Sequence, residues 1–164
     1  MAAEVNKNTW SRFFKKFNQT NQYRPAKVVV KQLGQTETNI DLNLLFMGLT
    51  IGKKGKRIDN VEIFTAQYDP ERLAEPITSI KQPVRVVIEK DADKRDSSLW
   101  IEGMDGSVVK VDLSGEKTPQ QQQMFVEKVA YALSERRGFA PGGEIDDWLE
   151  AEKRVKETEL QFVK

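Results

Sequence analysis

The chain has 164 residues, of which 38% are hydrophobic and 31% are charged, and its formal net charge is +1. These values are typical of one globular domain, or of a domain with a small appended module, and no apolar run approaches the roughly 18 residues of a membrane helix. Because the chain contains neither cysteine nor histidine, disulfides, the usual Cys/His zinc sites and catalysis by a thiol or an imidazole are excluded.

The start of the chain lacks the apolar stretch of a secretory signal, so we expect a cytoplasmic protein that is not attached to a membrane. Its charges are unevenly distributed along the sequence. Residues 1–58 contain 11 Lys/Arg against 3 Asp/Glu, whereas residues 59–115 contain 7 against 12. Such a basic first third either attracts polyanions or faces the acidic remainder within one fold.

The first predicted element is a helix in the segment TWSRFFKKFNQ, residues 9–19. Four aromatic residues in it follow the i, i+3, i+4, i+7 spacing of one helical face. They are Trp10, Phe13, Phe14 and Phe17. Thr9 is placed to cap the helix. An aromatic face of this kind also suits a membrane surface or a partner, but in so short a helix we expect it to pack in the core.

A series of strands is predicted after Arg24-Pro25, because the residue before proline is pushed toward extended conformations. The final two candidates are joined by Asp105-Gly106, which is typical of a tight hairpin turn. Successive strands with short connections predict an antiparallel meander of about five or six strands. The candidate segments are AKVVVKQL, the alternating NIDLNLLF, NVEIFT, PVRVVIEK, SSLWIEGM and SVVKVDL.

A helical hairpin is predicted at the end of the chain. Thr118-Pro119 followed by Gln121 has the pattern of a capping box. Gly138 is placed to end that helix, and residues 139–143 form a turn into a second one. The sequence therefore predicts an α+β fold: an N-terminal helix, an antiparallel meander and a C-terminal helical hairpin.

We predict a helix-plus-sheet domain over residues 1–115 and a helical hairpin module over residues 116–164, packed on the sheet or appended to it. The tail carries Leu160, Phe162 and Val163, which could dock within the chain or on a second subunit. We therefore expect a monomer or a weak homo-oligomer.

The segment AYALSERRGFAPGGEIDDWLEAEKRV resembles a short bacterial family known only as a domain of unknown function, in which a Pro/Gly turn joins a helix ending in Arg-Gly to a Trp-Leu-x-Ala-Glu helix. The longer first part, anchored by Arg24-Pro25-Ala26, resembles a second bacterial family of unknown function with an aromatic helix and a β-meander. Neither resemblance implies an activity, a ligand or a catalytic residue. The residues that carry the first one are Arg137, Gly138, Pro141, Gly143, Trp148, Leu149, Ala151 and Glu152.

The sharpest functional motif is the basic loop Gly52-Lys53-Lys54-Gly55-Lys56-Arg57. Its G-x-x-G pattern resembles the signature loop of the KH family, which clamps a single-stranded RNA backbone between two helices. The segments on either side, however, have strand patterns, so the alternative is a basic hairpin tip. The candidate nucleic-acid-binding residues are Lys53, Lys54, Lys56 and Arg57.

A calcium loop is a weaker possibility at residues 91–102. Asp91, Asp93 and Glu102 occupy its positions one, three and twelve, but Arg95 replaces a ligand and Asp96 replaces the turn glycine. We therefore expect a solvated hairpin loop and no metal site.

Five carboxylates near Trp148 are the remaining catalytic candidates. General acid/base chemistry would require two of them close together in a poorly solvated cleft, whereas the first turns of a helix stabilise their charged forms. We therefore predict a non-enzymatic binding or protein-interaction module with no cofactor and a protein partner still to be identified. The alternative is RNA binding through residues 52–57. The carboxylates are Glu144, Asp146, Asp147, Glu150 and Glu152.

Overall fold

The structure is a computed structural model that describes residues 1–36, 38–113 and 115–162, with the backbone alone for residues 38–43. Helices pack on both faces of an antiparallel sheet, which confirms the α+β prediction. The helices are α1 (Trp10–Asn21), α2 (Pro119–Arg136) and α3 (Glu144–Leu160). The strands are β1 (Ala2–Glu4), β2 (Pro25–Lys31), β3 (Thr38–Lys54), β4 (Arg57–Thr65), β5 (Thr78–Lys81), β6 (Pro83–Lys90), β7 (Asp96–Gly103) and β8 (Val108–Leu113).

The described residues form eight strands, in the order β1-β6-β7-β8-β2-β3-β4-β5. This exceeds the predicted five or six, because β1 and β5 have only three and four residues and are too short for a periodic signal. Every strand pair is antiparallel. Two consecutive meanders, β2 to β5 and β6 to β8, are joined by pairing of β2 with β8.

The sheet curls so that β5 and β6, which lie far apart in the strand order, are separated in the chain by Gln82 alone. Gln82 has a φ of 49°. Its N–H donates to the Asp59 carbonyl at 2.6 Å, and its own carbonyl accepts from the Met104 N–H at 2.9 Å. One residue therefore connects β4 with the end of β7, and the sheet forms a partly closed barrel.

The aromatic face of α1 packs on the concave face of this sheet, as expected. Trp10, Phe14 and Phe17 are buried, and the Phe17 ring meets Phe46 of β3 edge-on with centroids 5.3 Å apart. Asn18 fixes the helix to the same strand. Its amide donates to the Leu49 carbonyl at 2.9 Å and accepts from the Leu49 N–H at 2.7 Å.

The start of α1 differs from the prediction that Thr9 caps it. The Thr9 side chain makes no cap hydrogen bond, and its hydroxyl donates to the Asn6 carbonyl at 2.8 Å. A 3-10 helix, Lys7–Thr9, precedes α1, and Asn6 caps it by accepting from the Asn8 N–H at 3.0 Å. The chain enters α1 through this turn, so Thr9 already lies within helical structure.

The helical hairpin packs on the outer face of β3 and β4. Its buried residues include Phe125 and Val155, which share a cluster with Leu45, Met47 and Phe64. The middle of β3 is thus buried on both faces, since Phe46 and Leu49 lie in the other core. The alternation in NIDLNLLF predicts a strand with one buried face, and this prediction is wrong at Leu45 and Phe46, which are both buried. The side chains of Ile40 and Leu42, the first two apolar positions of that segment, lie outside the described residues.

The tail docks within the chain through Phe162, which is buried against Phe64 with ring centroids 5.3 Å apart. Gly48 leaves the space for this ring, because a Cβ there would overlap it. Leu160 is 54% exposed, and Val163 lies outside the described residues.

The predicted start and end of α2 are confirmed, whereas the β7–β8 turn differs in form. The Thr118 N–H donates to Gln121 Oε1 at 2.6 Å, and Gly138 follows α2 with a φ of 72°. At the β7–β8 turn only Gly106 has a positive φ, of 86°, so the turn is not the type I′ form that Asp105-Gly106 favours. Instead the Asp105 carboxylate accepts from the Ser107 N–H at 2.9 Å.

No helix in the described part of the chain is both long enough and apolar enough to cross a membrane.

Glu159 of α3 joins the helical hairpin to the sheet. Its carboxylate accepts hydrogen bonds from the Tyr23 hydroxyl, just before β2, and from Gln122 Nε2 at 2.7 Å. Burial raises the pKa of Glu159 above its usual value. The folded chain therefore holds this proton to a higher pH than the unfolded chain, and stability falls as the pH rises through that interval.

Replacing Glu159→Gln should consequently stabilise the protein at pH 7, because the amide keeps an acceptor for Tyr23 without the buried charge. Denaturant unfolding should give a higher midpoint for the variant at pH 7 and equal midpoints below the pKa of an ordinary glutamate. Glu157→Gln, at an exposed position two residues earlier in α3, is the matched control. A Glu159→Gln variant less stable than wild type at pH 7 would contradict this account.

Candidate functional site

The basic loop is the tip of the β3–β4 hairpin. Lys54 pairs with Arg57, so the turn consists of Gly55 and Lys56 alone. Gly55 has a φ of 66°, a conformation that favours glycine in two-residue turns. Lys53, Lys54, Lys56 and Arg57 are all exposed.

The glycine spacing has a structural explanation in this hairpin. Gly52 is paired with Asn60 of β4, and a Cβ at Gly52 would overlap the Asn60 side chain. Both flanking segments are strands, whereas a KH loop lies between two helices. The two glycines therefore serve the hairpin, and any nucleic-acid contact would use the basic side chains on a different architecture.

A cleft of about 410 Å³ opens beside this tip and is called the tip cleft below. Residues from the start of α1, the hairpin tip, the β5–β6 bend and the β7–β8 turn surround it. Four cations line it, and no described carboxylate does. The cations are Lys7, Lys53, Lys56 and Arg57.

Three of the four sequence-predicted residues thus converge on one cleft, together with Lys7, which the sequence analysis missed. Lys54 does not line it, as expected when successive side chains of a strand point to opposite faces. The signal that could have pointed to the N-terminal segment is the absence of any carboxylate between Glu4 and Glu37.

Two of these cations have contacts with neighbouring side chains. Lys7 Nζ lies 5.7 Å from the centroid of the Trp10 ring, whose indole N–H donates to the Val5 carbonyl at 3.0 Å. Arg57 pairs with Asp59 at 3.6 Å, and both side chains are well exposed. Because exposed pairs of this kind contribute little, the charge of Arg57 remains available to a ligand.

Among the carboxylates near Trp148, three have structural partners. Asp147 accepts from Arg137 Nε at 2.7 Å and thereby ties the start of α3 to the end of α2. Glu144 accepts from the Gly142 N–H at 3.1 Å. A hydrogen bond from Arg154 to Glu150 at 2.9 Å lowers the pKa of that carboxyl. These contacts stabilise the helical hairpin.

The calcium-like segment begins in the turn between β6 and β7, at residues 91–95, and continues along β7. Asp91 Oδ1 accepts from the backbone N–H groups of Arg95 at 3.0 Å and Asp93 at 2.9 Å, and these bonds lower the pKa of Asp91. Glu102 pairs instead with Arg85 at 3.4 Å. Within the described ranges, no group of three or more potential ligands is placed to hold a metal ion.

Comparison with known proteins gives one match. A family described as protein of unknown function (DUF2934) matches residues 125–157, which cover most of α2, the turn and most of α3. This supports the resemblance of the C-terminal region to a family of unknown function, whereas no family matches the N-terminal region. No curated protein and no solved structure matches the chain. The tip cleft lies wholly outside the matched segment.

Proposed function

We propose that this chain is a non-enzymatic binding protein whose tip cleft binds single-stranded RNA. The observation that carries the proposal is the convergence of four cations on a cleft that no described carboxylate lines. The net charge of the chain is only +1, so an arbitrary stretch of surface would mix both signs. Concentrated positive charge of this kind attracts nucleic-acid phosphates.

A single strand suits the cleft better than a duplex. The four cations line a concavity between a hairpin tip and a helix start, which a flexible strand can enter, whereas a duplex would be contacted by the projecting hairpin alone, as a β-ribbon in its major groove. Met104 lies at its rim with 65% of its surface exposed, which gives unstacked bases an apolar contact. Single-strand binders combine cations along the backbone with aromatic surfaces for the bases, and in this cleft the exposed apolar surface next to the cations is that of Met104.

Titration of a fluorescent oligouridylate into the protein over a salt series tests the proposal. Each phosphate contact on a single strand contributes about 0.7 to the magnitude of the slope of log K against log salt, so four contacts predict a slope of about −3. Affinity should then fall about 50-fold between about 50 and 200 mM salt. Absence of binding, or affinity independent of salt, would overturn the proposal.

A protein partner is the second candidate, and the surface of α3 favours it. Ile145 and Leu149 lie one helical turn apart and are 75% and 58% exposed. Leu149 also lines a groove between α2 and α3, together with Trp148. Failure of the RNA titration would leave this face as the better-supported binding surface.

A further inference from the structure

A second cleft, of about 510 Å³, lies between α1, the β6–β7 turn and residues 116–117, and is called the Arg24 cleft below. Six cationic side chains and two carboxylates, those of Asp96 and Glu116, line it. None of these residues belongs to the tip cleft. The cations are Lys16, Arg24, Lys90, Lys94, Arg95 and Lys117.

Both carboxylates are already paired. Asp96 lies 3.5 Å from Lys90 Nζ, and Glu116 is bound by Arg95. Lys16, Lys94 and Lys117 form no ion pair with any described residue. Among the described residues, the one polar contact of these three ammonium groups is from Lys117 to the Gln19 carbonyl at 3.4 Å. The cleft therefore has a surplus of positive charge on exposed side chains.

Arg24 adds a partly buried cation whose hydrogen-bond partners are neutral. Nε donates to the Gly115 carbonyl at 3.1 Å, and Nη1 donates to Asn21 Oδ1 at 2.9 Å and to the Asp96 carbonyl at 2.6 Å. The Nη2 group donates to no residue in the described ranges. Burial lowers the pKa of Arg24, with the Asp96 carboxylate opposing that effect. An anion bound at Nη2 would complete the neutralisation of this guanidinium.

The cleft also has an aromatic wall. Phe13 and Phe17 line it. The Phe13 ring is half-buried and is held by Phe14 and Phe17, with centroids 5.8 and 6.0 Å away. A ring fixed in this way offers a preformed stacking surface beside the cations, and stacking on an aromatic side chain contributes to nucleotide binding whichever base is present.

We propose that the Arg24 cleft binds a mononucleotide. The phosphate accepts hydrogen bonds from Arg24 Nη2 and contacts the ammonium groups of Lys16, Lys94 and Lys117. The base stacks on Phe13. This is a binding site with residues separate from those of the tip cleft, so the two proposals succeed or fail independently.

Calorimetric titration of the full chain with AMP, inorganic phosphate and adenosine tests the site. AMP should bind about tenfold more tightly than phosphate, since one stacked base contributes about 1–3 kcal/mol. Adenosine, which lacks the phosphate, should not saturate the site. NMR amide shifts with AMP should fall on Thr20 and Gly115 and leave Gly52 and Gly55 unmoved. No AMP binding at millimolar concentration, or shifts confined to the tip cleft, would overturn the proposal.

Two sets of variants separate a built site from general electrostatics. Replacing Lys16, Lys94 and Lys117 together by Gln should lower AMP affinity about 100-fold, at about a factor of five for each lost charge contact. Replacing the exposed Lys27, Lys153 and Lys156 by Gln removes the same amount of charge elsewhere on the surface. This control should change the AMP affinity less than about twofold. Equal losses in the two sets would contradict the proposal.

Phe13→Leu tests the aromatic wall without removing a charge. The variant should bind AMP and phosphate with equal affinity, because the stacking surface is gone and the cations remain. A preference for AMP that persists in Phe13→Leu would exclude stacking on Phe13.

Discussion

Replacing Lys53, Lys56 and Arg57 together by Gln should lower the affinity for single-stranded RNA about 100-fold at about 150 mM salt. Each of these side chains lines the tip cleft, and a contact between unit charges at about 4 Å in water is worth about 1 kcal/mol. Three lost contacts amount to about 3 kcal/mol, or about two powers of ten in affinity. The magnitude of the salt slope should also fall by about 2. Fluorescence anisotropy with an oligouridylate measures both quantities.

Lys54 supplies the matched control, because it lies next to Lys53 on β3 and is equally cationic but does not line the cleft. Lys54→Gln should change affinity much less than Lys53→Gln. Equal losses for the two single variants would mean that the hairpin tip attracts RNA by diffuse charge, and the cleft geometry would then have no role.

Phe162→Ala should destabilise the protein by about 3–5 kcal/mol, the range for removing a buried phenylalanine. The ring is 4% exposed, packs edge-on against Phe64, and occupies the space above Gly48 that a side chain would fill. Losing it removes one of the contacts that hold the end of α3 on the sheet, beside the hydrogen bond from Tyr23 to Glu159. Urea unfolding followed by circular dichroism measures the change in the free energy of unfolding.

Leu160→Ala is the control for this effect, since Leu160 lies two residues earlier and is 54% exposed. It should alter the free energy of unfolding by less than about 1 kcal/mol. If Phe162→Ala lowered the free energy of unfolding as little as Leu160→Ala, the tail would not be part of the core that Phe125 and Val155 form with β3 and β4.

Local signals predicted the three helices and both ends of α2. The capping box at Thr118 and Gln121 and the glycine after α2 depend on neighbours within a few residues. The aromatic spacing of α1 likewise identified its buried face. The same spacing could also have predicted that Asn18 is buried, because it lies four residues after Phe14 on that face. A polar residue in such a position indicates a buried hydrogen bond, here to Leu49.

The arrangement of the sheet depended on contacts distant in sequence. The bend at Gln82 places β5 and β6 in different meanders, and no propensity of the surrounding residues predicts which strand each will join. The continuous apolar run LLFMGL in β3 did carry a signal, since uninterrupted hydrophobic strands are typically covered on both faces. The polar/apolar alternation just before this run favoured a strand with one buried face instead.

The candidate site was predictable only in part, for the same reason. The basic tip stands out in the sequence as residues 52–57, and its tight turn follows from Gly55. The contribution of Lys7, and the exclusion of Lys54, follow from the way β3, β4 and α1 meet in space. Likewise, Lys16 and Lys117 belong to distant segments that share the Arg24 cleft only after folding.

The most direct test of RNA binding at the tip cleft is an NMR titration with single-stranded RNA at physiological salt. The reporters are the amides of Gly52 and Gly55 and the indole N–H of Trp10, which lines the cleft. We predict saturable shifts at all three that disappear when Lys53, Lys56 and Arg57 are replaced by Gln. Shifts that vanish at physiological salt, or that fall on the α2–α3 hairpin and leave these reporters unmoved, would contradict the proposed function.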